Sequence, residues 1–74
     1  LESRHTGPRD FVFGLLAEIA LADGRPGDAA QWIELNVLPH HRKPYLWRLL
    51  GDCAAAAGDP RRALKLYKSA LLKD

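Results

Sequence analysis

Methionine is absent from the 74 residues, and cysteine occurs once, at Cys53. Without Met, the native start is expected to be missing, cleaved or replaced, and Leu1-Glu2 reads as a cloning remnant. A single Cys excludes an internal disulfide and fits a reducing compartment, so the expected location is the cytoplasm. No run approaches the roughly 18 apolar residues of a membrane span, and no signal-peptide pattern is visible. Charge of one sign is also scarce. The net charge of +2 is too small to demand a nucleic-acid partner.

The residues of catalytic and metal chemistry are equally sparse. His5, His40, His41 and Cys53 show neither Cys-x2-Cys nor His-x3-His spacing, so no metal site and no cofactor are expected. There is no glycine-rich phosphate loop. Glu18, Glu34 and Asp52 do not converge in a recognisable acid-base constellation, so the chain is not expected to be an enzyme.

What is present is a helical pattern. The apolar fraction is 47%, typical of a folded chain, and the length suits one small domain. Residues 1–9 carry Gly7-Pro8 and no apolar period, and are expected to form a flexible tail. A first helix is expected from Asp10, acting as N-cap, to about Asp23, where Gly24 ends it. It is apolar nearly all round, so it should be covered on more than one side. A second helix runs from Pro26 to about Val37, before Pro39. Pro39 to Pro44 is a turn with four polar residues between its prolines. A third helix spans about 44–57, ended by Gly58. Asp59 and Pro60 open a fourth, in which Ala63, Leu66, Tyr67, Ala70 and Leu71 step by three and four. Trp32 is expected to pack against the following helical pair, with an exposed partner contact as the alternative.

The chain repeats. Shifting back 34 residues places Trp47 on Phe13, Leu50 on Leu16, Gly51 on Ala17, Ala54 on Ala20, Gly58 on Gly24, Pro60 on Pro26 and Ala63 on Ala29, with no gap. Tyr67 falls on Ile33, and Ala70 on Asn36, a departure expected to loosen the end of that hairpin. The run Trp47-x2-Leu50-Gly51-x2-Ala54, followed by Ala63-x3-Tyr67, resembles a tetratricopeptide repeat, and residues 10–43 and 44–74 look like two in tandem. Ala54 departs from the Tyr usual in the family. The resemblance implies an all-α fold: two helix-turn-helix hairpins stacked as a short right-handed superhelical solenoid over residues 10–74. Leu50, Gly51, Gly58, Ala63 and Tyr67 would build its scaffold.

The resemblance also implies a function. In this family the first helix of each repeat lines a concave groove that binds proteins. The groove positions would carry Phe11, Gly14, Glu18, Leu21 and Ala22 in repeat one, and Tyr45, Arg48, Asp52, Ala55 and Ala56 in repeat two. Of these, Phe11, Glu18, Leu21, Tyr45, Arg48 and Asp52 are the expected contacts for a peptide or amphipathic helix of a partner protein. The module would then be an adaptor, chaperone or scaffold. The alternative for Phe11 and Tyr45 is that they only cover adjacent helices. The subclass that clamps chaperone C-termini needs Lys and Asn where this chain has Gly14, Glu18, Tyr45 and Leu49, so that ligand is not expected.

Two further readings belong to other classes. Arg42, Lys43, Arg61, Arg62, Lys65 and Lys68 could form a basic stripe for single-stranded RNA, against which their outer-face placement argues for a solvated surface. Leu64, Leu71 and Leu72 leave the last helix with an apolar side that missing chain, a second copy or a different protein must cover. That points to a homo- or hetero-oligomer, or to a homo-oligomerisation segment of a larger repeat protein.

Overall fold

The computed structural model describes residues 7–73. They form four α-helices: α1 (Gly7–Ala22), α2 (Pro26–Glu34), α3 (Pro44–Ala56) and α4 (Pro60–Lys73). A single 3-10 turn, Pro39–His41, lies between α2 and α3. There is no strand among the described residues. The expected all-α architecture of helical hairpins is therefore present.

The two hairpin turns are built alike. Gly24 and Gly58 take φ angles of 78° and 84°, the left-handed region that a side chain disfavours. In each turn the glycine N–H returns to the carbonyl three residues back, Leu21 or Ala55. The next N–H returns five residues back, from Arg25 to Ala20 (3.0 Å) and from Asp59 to Ala54 (2.9 Å). This is the Schellman closure that satisfies the last carbonyls of a helix. Asp59 then accepts a hydrogen bond from the Arg62 N–H at 3.2 Å, capping α4 as expected. The equivalent position in repeat one is Arg25, which has no side-chain cap bond.

Two boundaries differ from expectation. The α1 helix begins at Gly7, so residues 7–9 of the expected tail are helical; residues 1–6 lie outside the described region. Pro8 falls in the first turn, where its missing N–H costs nothing. Asp10 is then a first-turn residue facing the positive end of the helix rather than its cap, and it is buried. The α2 helix stops at Glu34, short of Val37. The Asn36 side-chain amide donates to the Trp32 carbonyl at 2.8 Å, so it takes the place of a backbone N–H at the helix end. Val37 keeps its N–H on Ile33 O (2.9 Å) and stays buried. The turn before α3 is also less polar than expected. Arg42 folds inward, its Nε donating to Val37 O at 3.0 Å and its guanidinium lying 5.1 Å from the Trp47 ring centroid.

Packing runs in sequence order. The α1 helix packs on α2, α2 on α3 and α3 on α4, while α1 also touches α3. One core, including Ala17, Ala29, Ile33, Leu46, Leu50 and Cys53, passes through both hairpins. The extents of 41 × 28 × 15 Å describe a slab longer than it is thick.

Small residues set the helix crossings. At the α3–α4 crossing, a Cβ on Gly51 would lie 2.5 Å from Tyr67 Cε1, so only glycine fits beneath that ring. At the equivalent α1–α2 positions stand Ala17 and Ile33, both fully buried. A smaller partner across the crossing goes with one extra methyl group on the near side.

Candidate functional site

The first helices of the two hairpins, α1 and α3, lie side by side and carry every residue expected to contact a partner. Tyr45 and Leu46 of α3 take part in that contact. Leu46 is fully buried, and Tyr45 packs against the core. Both approach Gly14, where a Cβ would stand 3.1 Å from Tyr45 Cε2 and 3.1 Å from Leu46 Cδ2. Gly14 was expected on the groove floor. It is instead buried beneath Tyr45, because the missing side chain lets the ring cross α1.

Asp10, Gly14 and Glu18 follow one another at single-turn spacing on α1. Burial raises the Tyr45 hydroxyl pKa above its ordinary value, and the negative charges of Asp10 and Glu18 add to the rise. Tyr45 is thus a neutral phenol held over an acidic stripe. Of the two readings offered for the aromatic pair, covering an adjacent helix holds for Tyr45. Phe11 is 61% exposed.

Glu18 and Arg48 are exposed, and Leu21 is half-buried against the core. Asp52 is half-buried and already engaged. It accepts the Tyr67 hydroxyl proton at 2.6 Å and sits 4.0 Å from the Arg48 guanidinium, one turn away. That hydrogen bond is the main reason the Tyr67 pKa is raised. The face therefore offers an exposed aromatic (Phe11), an exposed acid (Glu18), a base (Arg48) and the edge of a phenol. Asp52 serves chiefly to hold Tyr67 and Arg48.

Trp32 differs from its expected role. It stacks on Phe13 of its own hairpin, with ring centroids 6.4 Å apart and an interplanar angle of 24°. It remains 39% exposed between two shallow clefts. One, of about 410 Å³, is bounded by Leu16, Ile19, Ala20 and Asp23. The other, of about 300 Å³, is bounded by Asp28, Gln31, Leu35 and Asn36. The near-continuous apolar run of α1 was the sequence signal for the first of these clefts.

Other chemistry is limited. Among the described residues no group of three His, Cys, Asp or Glu side chains could hold a metal ion. The rings of His40 and His41 contact each other edge to face at 4.3 Å. Cys53 is a buried free thiol whose pKa is pushed up to about 11, first by burial and then by the charges of Asp52 and Glu34. The thiol is thus neutral and shielded at physiological pH. Among the described residues no helix is long and apolar enough to cross a membrane. No family model, curated protein or solved structure gives a significant match to the chain.

Proposed function

We propose that residues 10–74 are two tetratricopeptide-like hairpins forming a short right-handed solenoid. Its work is non-catalytic: the α1/α3 face binds a peptide or amphipathic helix of another protein. The chain would act as an adaptor, chaperone or scaffold in a reducing compartment such as the cytoplasm. One observation carries the reading. Both hairpin turns close with the same hydrogen bonds, 34 residues apart, on a chain whose α1 and α3 lie next to each other. A repeat arranged in this way presents its first helices as one surface.

On that surface Phe11 is the apolar anchor, and Glu18 and Arg48 set charge preference. Leu21 and Tyr45 form its half-buried floor, and Asp52 orients Arg48. The RNA reading has less support. Two of its six basic residues are engaged within the protein, Arg42 with Val37 and Trp47, and Arg62 with Glu34 at 3.3 Å.

The test is capture of partners from source-cell extract on immobilised wild type and on a Phe11→Ala, Arg48→Glu double variant. Both side chains are exposed, so the variant should keep its helicity. A protein held by the wild type and lost by the variant is the expected result. Equal capture by both overturns the α1/α3 assignment, and capture that disappears on nuclease treatment favours the RNA reading. Tyr45→Glu is a poor probe, because its carboxylate would stand between Asp10 and Glu18.

A further inference from the structure

The 34-residue repeat relates two clefts in different states. One lies between α2 and the second hairpin. Its far wall includes Leu50, Cys53, Ala54, Ala57 and Leu66, and α2 fills its near side with Pro26, Gly27, Ala30 and Glu34. Shifted back by 34, that wall becomes Leu16, Ile19, Ala20, Asp23 and Trp32. These are residues of the cleft of about 410 Å³ on the outer side of α1, which no helix among the described residues occupies. The same shift takes Leu46, Leu49 and Cys53, at most 5% exposed, onto Val12, Leu15 and Ile19, which are 46–60% exposed. The α1 helix thus carries the receiving face that α3 uses, left open.

The occupant is written in the same register. Shifted forward by 34, the α2 residues Gly27, Ala30 and Glu34, with Val37 just beyond that helix, become Arg61, Leu64, Lys68 and Leu71 of α4. Leu64 and Leu71 are among the exposed apolar residues of the molecule. Charge agrees as well. Within the chain Glu34 of α2 pairs with Arg62 of α4 at 3.3 Å. The shift turns Glu34 into Lys68 and Arg62 into Asp28. Both signs reverse, so the pair remains attractive. The largest increase in bulk along the docking helix, Arg61 in place of Gly27, falls where a Cβ meets nothing within 4 Å. The open cleft, of about 410 Å³, is lined by Leu16, Ile19, Ala20 and Trp32, an apolar surface suited to a leucine side chain.

We propose that this chain self-associates head to tail, with α4 of one copy seated on the outer face of α1 of the next. Leu64 and Leu71 enter the apolar cleft beside Ile19 and Trp32, and Lys68 pairs with Asp28 of the neighbour. The contact repeats the internal α2–α3 packing across the boundary between copies. It is heterologous and continues the internal stacking of the hairpins, so each added copy exposes a fresh α4 and the assembly grows beyond a dimer. The inference rests on the repeat register and not on any ligand of the α1/α3 face.

The test is sedimentation of the 8.2 kDa chain from micromolar to millimolar concentration, alone and with two surface variants. The wild type is expected to gain mass continuously with concentration. Ile19→Glu closes the α1 face and Leu64→Glu closes the α4 face; each should stay monomeric with unchanged circular dichroism. Mixed in equal amounts they retain one intact interface, so they should form a dimer that grows no further. Raising salt should weaken the wild-type association and have less effect on a Lys68→Gln variant. A wild type monomeric throughout overturns the proposal, as does one that stops at a dimer, continued self-association of either variant, or a mixture that forms no dimer. Loss of Phe11 and Arg48 leaves this behaviour unchanged, which separates it from the binding test above.

Discussion

The crossing of α3 and α4 gives a prediction in which one substitution changes sign with its partner. An alanine at Gly51 would place a Cβ 2.5 Å from Tyr67 Cε1, well inside contact distance. The ring is tethered at its far end by the hydroxyl bond to Asp52 (2.6 Å), so retreat breaks that bond. Overpacking costs about 1–3 kcal/mol, and loss of the hydrogen bond adds about 0.5–1.5 kcal/mol. Against these, replacing glycine by alanine within a helix returns up to about 1 kcal/mol. The balance is a loss of about 0.5–4.5 kcal/mol. In a domain of this size each kcal/mol moves the melting temperature by roughly 4–8 °C. In a Tyr67→Ile background the crossing becomes Ala over Ile, the pair that Ala17 and Ile33 already form in the first hairpin. There Gly51→Ala should be neutral or stabilising by up to about 1 kcal/mol. Urea and thermal unfolding of the four proteins, followed by circular dichroism, give the cycle directly. A coupling within about 0.5 kcal/mol of zero, the level expected of independent sites, would refute the argument. An unchanged melting temperature for Gly51→Ala alone would also refute it.

Other consequences follow from single contacts. Tyr67 and Cys53 both have raised pKa values, so their contributions are fully present below the unfolded values of 10.0 and 9.0. Those contributions are lost as pH rises through the folded values. Stability should therefore fall above about pH 9, and Tyr67→Phe should shrink the loss; an identical alkaline limb in that variant would count against the Tyr67–Asp52 bond. Asp59→Ala removes the α4 cap and should cost about 1 kcal/mol in urea unfolding, whereas Arg25→Ala, at the equivalent uncapped position, should cost less. Cys53 should resist thiol reagents in the folded protein and react fully in denaturant; rapid labelling of the native state would mean that the core opens there.

Local chemistry was the legible part of this protein. Gly24, Gly58, Pro26, Pro60 and Asp59 act within a few residues of themselves, and each turn or start they mark is found where the sequence puts it. The misses involve side chains that reach beyond their own turn. Asn36 was read as a departure from the repeat pattern, yet its amide shortens α2 by capping Trp32. Arg42 was read as a solvated turn residue, yet it lies over Trp47. Gly14 was assigned to an open surface, yet it is the gap that Tyr45 fills. Pro8 was read as a helix-breaking signal, although proline within a first turn is equally compatible with a helix.

The site divides in the same way. That Phe11, Glu18, Leu21, Tyr45, Arg48 and Asp52 belong to the first helices of the two hairpins is a matter of period, which is a property of the sequence. Which of them remain available is a matter of packing between helices. Tyr45 is spent on Gly14 and Asp52 on Tyr67, while Phe11, Glu18 and Arg48 stay open. The 34-residue period and the two glycine-closed hairpin turns were determined by the sequence alone, because backbone caps and apolar spacing act locally. The uncovered side of α4 was legible from Leu64, Leu71 and Leu72, whereas the unfilled α1 cleft was decided only by the tertiary structure. A face counts as open or filled only once it is known which helix lies against it, and that depends on contacts between residues far apart in the chain.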